Sequence, residues 1–155
     1  MLDAVITQNI DRLHRKAGSR RVVEVHGTID HASCLHCGWR ADLAETRRRL
    51  AEDGQVPRCE CGEPLKPDVV LFGEFLPEAA MAEAFALASQ ADVLLCIGSS
   101  LEVYPVAGLP QVTLDAGGRV AIVTQGRTSF DREAVVKLSG DVEDELRVLA
   151  AALGV

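Results

Sequence analysis

Four of the five cysteines fall in two close pairs, Cys34-Leu35-His36-Cys37 and Cys59-Glu60-Cys61, with 21 residues between Cys37 and Cys59. Four thiolates brought together from two such pairs can surround a zinc ion tetrahedrally, and a closed four-sulfur shell leaves no position open for catalysis. The expected metal is therefore structural. The second pair has a single intervening residue, so its loop must be tighter than the first. His31 and His36 are alternative ligands, although His36 lies inside the first pair and competes with its own neighbours. Gly38 and Gly62 follow the second cysteine of each pair, where tight turns can aim backbone N–H groups at sulfur. Cys96 sits in an apolar run and reads as a small core residue.

A second group of residues has the chemistry of a ligand site. Thr7-Gln8-Asn9-Ile10-Asp11 places an amide and a carboxylate two residues apart just past an apolar run. Val25-His26-Gly27 ends another run on a histidine, which can act as a tuned general base, beside a glycine that lets a substrate approach the backbone. Gly98-Ser99-Ser100 follows a third, and its hydroxyls and N–H groups can hold a phosphate or ribose. Each signal is weak alone, because Asn and Asp also cap helices and a strand-end histidine is often structural. No GxGxxG fingerprint occurs anywhere.

These residues need elements to position them. Short apolar runs alternate with helical stretches, which predicts a parallel sheet with crossover helices. Strands are expected at 4–7, 22–25, 69–72, 92–97, 119–124 and 135–138, with 92–97 buried on both faces as its continuous apolar run suggests. Helices are expected at 10–17, stopped by Gly18, at 77–90, and at 142–153 behind an Asp141 cap. Residues 31–66 break the rhythm with the paired cysteines and an arginine-bearing helix at 41–53. They read as a small module inserted into a domain formed by 1–30 and 67–155. Thirty-six mostly polar residues can hardly build their own core, so metal binding would be part of the module's folding energy.

Composition limits the partners. Of 155 residues, 48% are hydrophobic and 25% charged, which is ordinary globular composition with enough chain for a sizeable core. A formal net charge of −7 argues against general affinity for nucleic acid, and Arg47-Arg48-Arg49 reads as a solvated helix face. No apolar run approaches the ~20 residues of a membrane helix. Met1-Leu2-Asp3-Ala4-Val5 lacks the regions of a signal peptide, and paired cysteines in a reducing compartment favour metal over disulfides, so a cytoplasmic protein is expected.

Taken in order, the segments resemble the sirtuin family. The matching segments are Thr7-Gln8-Asn9-Ile10-Asp11 with Leu13-His14, Val25-His26-Gly27, the cysteine pairs, Lys66-Pro67-Asp68-Val69-Val70-Leu71-Phe72-Gly73-Glu74, Gly98-Ser99-Ser100-Leu101 with Val103 and Pro105, and Gly140-Asp141-Val142. The resemblance implies a Rossmann-like parallel sheet with helices on both faces and an inserted zinc-ribbon module. It implies an NAD-dependent protein-lysine deacylase that consumes NAD and yields nicotinamide, O-acyl-ADP-ribose and free lysine. Carried over by position, His26 is the general base, and Asn9 and Asp11 line the nicotinamide pocket. Gln8 meets the nearby ribose. Gly98, Ser99, Ser100, Thr124 and Val142 meet the rest of the cofactor. Val70, Phe72 and Gly73 pair with the acyl-lysine peptide as an added strand, and Cys34, Cys37, Cys59 and Cys61 hold one structural zinc.

Two departures stand out. Sirtuins open with a strand and a GAG-type glycine-rich loop that grips the cofactor pyrophosphate, and this chain begins after that point, so an uncovered edge or apolar face is expected in its sheet. A second chain can supply the missing segment. The other departure is Thr124, where the family usually carries Asn. The alternative to an enzyme is a catalytically inactive sirtuin remnant that binds ADP-ribose, NAD or acyl-peptide, or a truncated gene product.

Overall fold

The computed structural model describes residues 2–154; Met1, which opens the sequence-based reading of the N-terminus, lies outside them. The chain divides into two compact units, Met1–Met81 and Ala82–Val155. No helix among the described residues is long and apolar enough to cross a membrane.

In the first unit, β1 (Val5–Thr7) pairs in parallel with β2 (Val22–Glu24), Val5 opposite Val22 and Thr7 opposite Glu24. The Val25 N–H donates to the Thr7 carbonyl at 3.0 Å, and Val25 is fully buried, so the two strands end together. Between them α1 (Leu13–Lys16) is a single turn. The expected start at residue 10 is not realised, because Arg12 takes left-handed backbone angles (φ 62°, ψ 16°). The Asp11 carboxylate holds that turn by accepting from the Leu13 N–H at 2.9 Å, as aspartate readily does outside helices.

The same unit holds a three-stranded antiparallel sheet in the order β4-β3-β5, with β3 (Gly27–Cys34) in the middle, β4 (Arg40–Asp42) on one side and β5 (Leu65–Val69) on the other. The strand expected at 69–72 lies instead at Leu65–Val69. Residues 70–72 leave it, since the turn at Leu71–Glu74 draws the backbone into local hydrogen bonds. Helix α2 (Leu43–Asp53) starts at Asp42, whose carboxylate accepts from the Ala44 and Glu45 N–H groups, a standard N-cap that satisfies orphan donors. The core beneath it is small: Ala32, Leu43 and Leu65, with Cys34 and Cys59.

In the second unit, β6 (Val93–Ile97), β7 (Arg119–Val123) and β8 (Val136–Leu138) form a parallel sheet in that order. The connection from β6 to β7 runs through α4 (Leu109–Asp115), as parallel pairing demands. Val120, Ile122 and Val123 of β7 are buried, and Leu101 and Phe130 pack on Val120 and Ile122 with Cys96, Leu114 and Ala134. The Thr113 hydroxyl, itself fully buried, donates to Ala88 O at 2.8 Å, and so ties α4 to α3 (Glu78–Gln90). Helix α5 (Val142–Leu153) begins as expected at Asp141, whose carboxylate accepts from the Glu143 and Asp144 N–H groups.

Strand β6 differs from expectation. It pairs with β7 alone, and Val93, Leu95 and Ile97 are 50%, 37% and 43% exposed. The strand is therefore not buried on both faces. A run of this composition suits the interior of a sheet, and here one edge and one apolar face have no cover among the described residues.

Candidate active site and zinc centre

The four paired cysteines converge. Their sulfurs all lie within 4.8 Å of one another. Individual separations are 3.5 Å for Cys34–Cys61, 3.4 Å for Cys37–Cys59 and 3.8 Å for Cys37–Cys61. A tetrahedral zinc shell with metal–sulfur bonds of about 2.3 Å has sulfur–sulfur edges of about 3.8 Å, so the residues fit the ion. Neither His31 nor His36 belongs to the cluster.

Two turns build the site. Gly38 and Gly62 have φ of 74° and 91°, and their N–H groups close onto Cys34 O and Cys59 O at 2.9 Å each. That reversal aims the following N–H groups, of Trp39 and Glu63, at the sulfurs of Cys37 and Cys61. The glycines do what their spacing suggested, but the donors at sulfur are the residues just after them. At Cys34 the Cys37 N–H, with that of His36, outweighs desolvation and draws the thiol down to about 7. At Cys61 the Glu63 N–H pulls down, but hydrogen bonding with Cys34, burial and the other two sulfurs push the thiol up to about 12. Cys96 stands apart, its thiol pushed up to about 11 by burial.

The residues of the first unit expected to form a ligand site lie at the carboxyl ends of β1 and β2, where open α/β sheets bind ligands. Gln8 and Asn9 follow β1 directly. The Asn9 N–H is held by the Thr7 hydroxyl at 3.1 Å, while its exposed side-chain amide makes no hydrogen bond among the described residues. His26 follows β2, and its Nδ1 lies 3.1 Å from Gln8 O. A carbonyl oxygen only accepts, so the neutral ring carries its proton on Nδ1 and its lone pair on Nε2. The backbone of His26 is fixed as well, its carbonyl accepting from the Val70 N–H at 2.9 Å. Beside it, Gly27 (φ 76°) admits Asp68 O so closely that a Cβ there would sit 2.1 Å from that oxygen.

In the second unit the expected cofactor residues also gather at strand ends. Gly98-Ser99-Ser100 follows β6, with the Gly98 N–H on Val123 O at 2.9 Å. The Ser99 hydroxyl accepts from the Leu101 N–H at 3.2 Å, in a turn where Leu101 has φ 55°. Thr124 follows β7, and its N–H donates to Leu138 O at 3.0 Å. Val142 opens α5.

Two features escaped the sequence reading. One is the ion pair of Arg12 with Asp30 at 2.7 Å, which ties the Asn9–Asp11 loop to β3. The other is a clip at the segment expected to meet peptide. Lys66 Nζ lies 2.9 Å from Glu74 Oε2 and 2.7 Å from Val69 O, and the same Glu74 oxygen accepts from the Leu71 N–H. The Val70 N–H is engaged by His26, whereas the N–H groups of Phe72 and Gly73 have no hydrogen-bond partner among the described residues.

Residues 1–105 match the Sir2 family over its sequence pattern. This chain belongs to the Sir2 family. It is 43% identical over 148 residues to an NAD-dependent protein deacetylase of Thermotoga maritima, covering 95% of this chain and 60% of that protein. An NAD-dependent protein deacylase of Thermococcus kodakarensis is 46% identical over 143 residues, 90% of this chain and 56% of the relative. Among solved structures, Sir2Tm bound to a propionylated peptide superposes with a TM-score of 0.94 at 41% identity, covering 99% of this chain and 65% of that one. A complex described as Sir2, p53 peptide and NAD+ gives 0.93 at 41% identity, with 99% and 64% covered. The Sir2-family chain therefore has the Rossmann-like parallel sheet and cysteine-cluster module that its sequence suggested. It spans about 60% of the length of the curated relatives it matches.

Proposed function

We propose that this chain carries the chemistry of an NAD-dependent protein-lysine deacylase, consuming NAD and releasing nicotinamide, O-acyl-ADP-ribose and free lysine. The observation that carries the reading is the setting of His26. Its Nδ1 is tied to Gln8 O, which leaves Nε2 as the base at the carboxyl end of β2, alongside the strand end that bears Asn9 and Asp11. The names of the relatives, NAD-dependent protein deacetylase and deacylase, support the same chemistry.

In this reading Asn9 presents its uncommitted amide to nicotinamide, with Asp11 shaping the loop behind it and Gln8 beside the ribose. His26 Nε2 removes a proton from a ribose hydroxyl after nicotinamide has left, and so activates that oxygen for attack on the acyl carbon. Gly98, Ser99, Ser100, Thr124 and Val142 receive the remainder of NAD. The acyl-lysine peptide joins as a strand along Val70, Phe72 and Gly73, using the N–H groups of the latter two; Val70, with its own N–H engaged, contributes its carbonyl. Acylation removes the lysine charge, so its channel need not solvate one. Zinc, held by the four cysteines, supplies folding energy to the 31–66 module and takes no part in the reaction. Four reduced thiols closing on one centre fit a cytoplasmic protein, and a partner chain supplying a further strand fits the open edge of β6. Direct nucleic-acid binding has no place in this reading, given the −7 charge.

The test is nicotinamide release from NAD by the folded, zinc-loaded chain, followed by chromatography with and without an acetyl-lysine peptide. Release is expected only with the peptide, and Asn9→Ala should lower it about 100-fold, since the leaving group is no longer oriented. Absence of release from the folded chain contradicts the proposal in favour of an inactive member that binds ADP-ribose or acyl-peptide without turnover.

A further inference from the structure

In the second unit two loops leave neighbouring strand ends side by side. Gly98-Ser99-Ser100 follows β6 and Thr124 follows β7, with Ile97 opposite Val123 and the Gly98 N–H on Val123 O at 2.9 Å. A strand–helix–strand unit that binds a dinucleotide sets its phosphate turn after the first strand. Near the end of the second it sets the group that meets the adenosine ribose. A carboxylate there takes the 2′-hydroxyl of NAD, whereas an arginine nearby accommodates the 2′-phosphate of NADP.

Here the end of the second strand holds Thr124, which carries no charge. The loop beyond it, Gln125-Gly126-Arg127-Thr128-Ser129-Phe130-Asp131, has one cation and one carboxylate. The carboxylate is already committed. Asp131 Oδ1 accepts from the Thr128 hydroxyl at 2.7 Å and from the Thr128 N–H and Lys137 Nζ at 3.1 Å each. The cation is not: Arg127 is exposed, and its guanidinium has no partner among the described residues. The backbone on both sides of it is held, since Lys137 Nζ also donates to Gly126 O at 2.7 Å and the Thr128 N–H is the one bound to Asp131. The loop therefore presents a planar fork of donors from a backbone with little freedom left to lose, which suits bidentate binding of a phosphate. With Asp131 neutralised by Lys137, Arg127 is the uncompensated charge of this loop, in a chain of net charge −7.

We propose that the adenosine end of the cofactor site admits a 2′-phosphate, with Arg127 as the specificity-determining residue, so that NADP is taken as well as NAD. The inference rests on the assignment of Ser99, Ser100 and Thr124 to the cofactor. The added phosphate sits on the adenosine ribose, at the far end of the dinucleotide from the bond that releases nicotinamide. The chemistry at His26 is unchanged, and the acyl product retains the phosphate.

The experiment is isothermal titration of the full zinc-loaded chain with ADP-ribose and with 2′-phospho-ADP-ribose, at low and at high salt. At low salt the 2′-phosphate should bind about fivefold more tightly, the size of an exposed ion pair, and the advantage should shrink to within about twofold in 1 M salt. Arg127→Gln should abolish the preference, and Arg127→Lys should keep most of it. Because Arg127 makes no bond within the chain, circular dichroism and zinc content should be the same in both variants. Tighter binding of ADP-ribose than of its 2′-phosphate overturns the inference and points to Glu102, the exposed carboxylate in the loop after β6, as the ribose partner. A preference for the 2′-phosphate that survives Arg127→Gln overturns the role of Arg127. Failure of the folded chain to bind either ligand overturns the cofactor assignment itself and this inference with it.

Discussion

At the scale of single residues, the site depends on how closely two backbones approach at Gly27. A Cβ there would meet Asp68 O at 2.1 Å in a conformation with φ 76°, so Gly27→Ala should destabilise the chain by roughly 2 kcal/mol or more, combining left-handed strain with the clash. The midpoint of urea unfolding measures this, and an unchanged midpoint would mean that β3 and β5 can separate at no cost. The cysteines make a second prediction. Desolvation raises Cys96 to about 11, so at pH 8 the zinc-loaded chain should react slowly with a disulfide reagent, and chelation, by unfolding the cysteine module and removing the contacts that raise Cys61, should release four fast thiols and leave one slow. Five fast thiols before chelation would contradict both burial and metal binding. The cysteine site was legible in the sequence because ligands in close pairs declare themselves by spacing. The Lys66–Glu74 clip was not, because its members are eight positions apart and are joined only by the turn at Leu71–Glu74. His26 was legible as a strand-end histidine, but its tautomer waited on Gln8 O, a backbone atom that sequence does not distinguish.

At the scale of elements, α5 begins at the Asp141 cap as read, whereas α2, expected from residue 41, begins at Leu43 because Asp42 caps it; each carboxylate accepts two N–H groups. Asp141→Ala should cost about 1 kcal/mol, seen as a lower denaturation midpoint with no loss of zinc. On α2, the Arg48 guanidinium, then that of Arg49, holds the Glu45 carboxyl at about 2, below its ordinary 4.5. A carboxylate whose folded pKa lies below its unfolded value stabilises above the unfolded value, and its contribution disappears as pH falls through the folded one. The support from Glu45 should thus be present above about 4.5 and be lost as pH falls towards about 2. Carbon-detected NMR titration of Glu45 should move towards the ordinary value in Arg48→Gln. A midpoint that does not move would show that the pairs are fully screened. Strand and helix starts were less legible. The left-handed Arg12 shortened α1 to one turn, and the Leu71–Glu74 bonds pulled 70–72 out of β5. In both places a local hydrogen bond outweighed the pattern of apolar residues, which carries no information about such bonds.

At the scale of the molecule, the module around the cysteines has too few apolar groups to stand without metal, its core being Ala32, Leu43 and Leu65 beside two ligands. Chelation should unfold it, and the single tryptophan reports this, since the Trp39 backbone N–H lies against the Cys37 sulfur. A change in Trp39 emission is expected, because the turn that holds it is lost, while the helical signal of the second unit persists because its Val120–Ile122 core contains no ligand. Emission that ignores chelation would separate zinc from folding. The class of the fold was legible from the alternation of strands and helices, but the exposure of β6 was not, because periodicity reports what a strand is suited to meet and not whether a neighbour is there. In the proposed reaction His26 is the base of a deacylation that follows nicotinamide departure. Quantitative mass spectrometry of nicotinamide and O-acetyl-ADP-ribose, from the zinc-loaded chain and from His26→Ala incubated with NAD and an acetyl-lysine peptide, tests it most directly. Equal amounts of the two products from the unmutated chain are predicted, with nicotinamide still formed by His26→Ala but O-acetyl-ADP-ribose lowered by about 100-fold or more. Undiminished O-acetyl-ADP-ribose from the variant would contradict the role of His26.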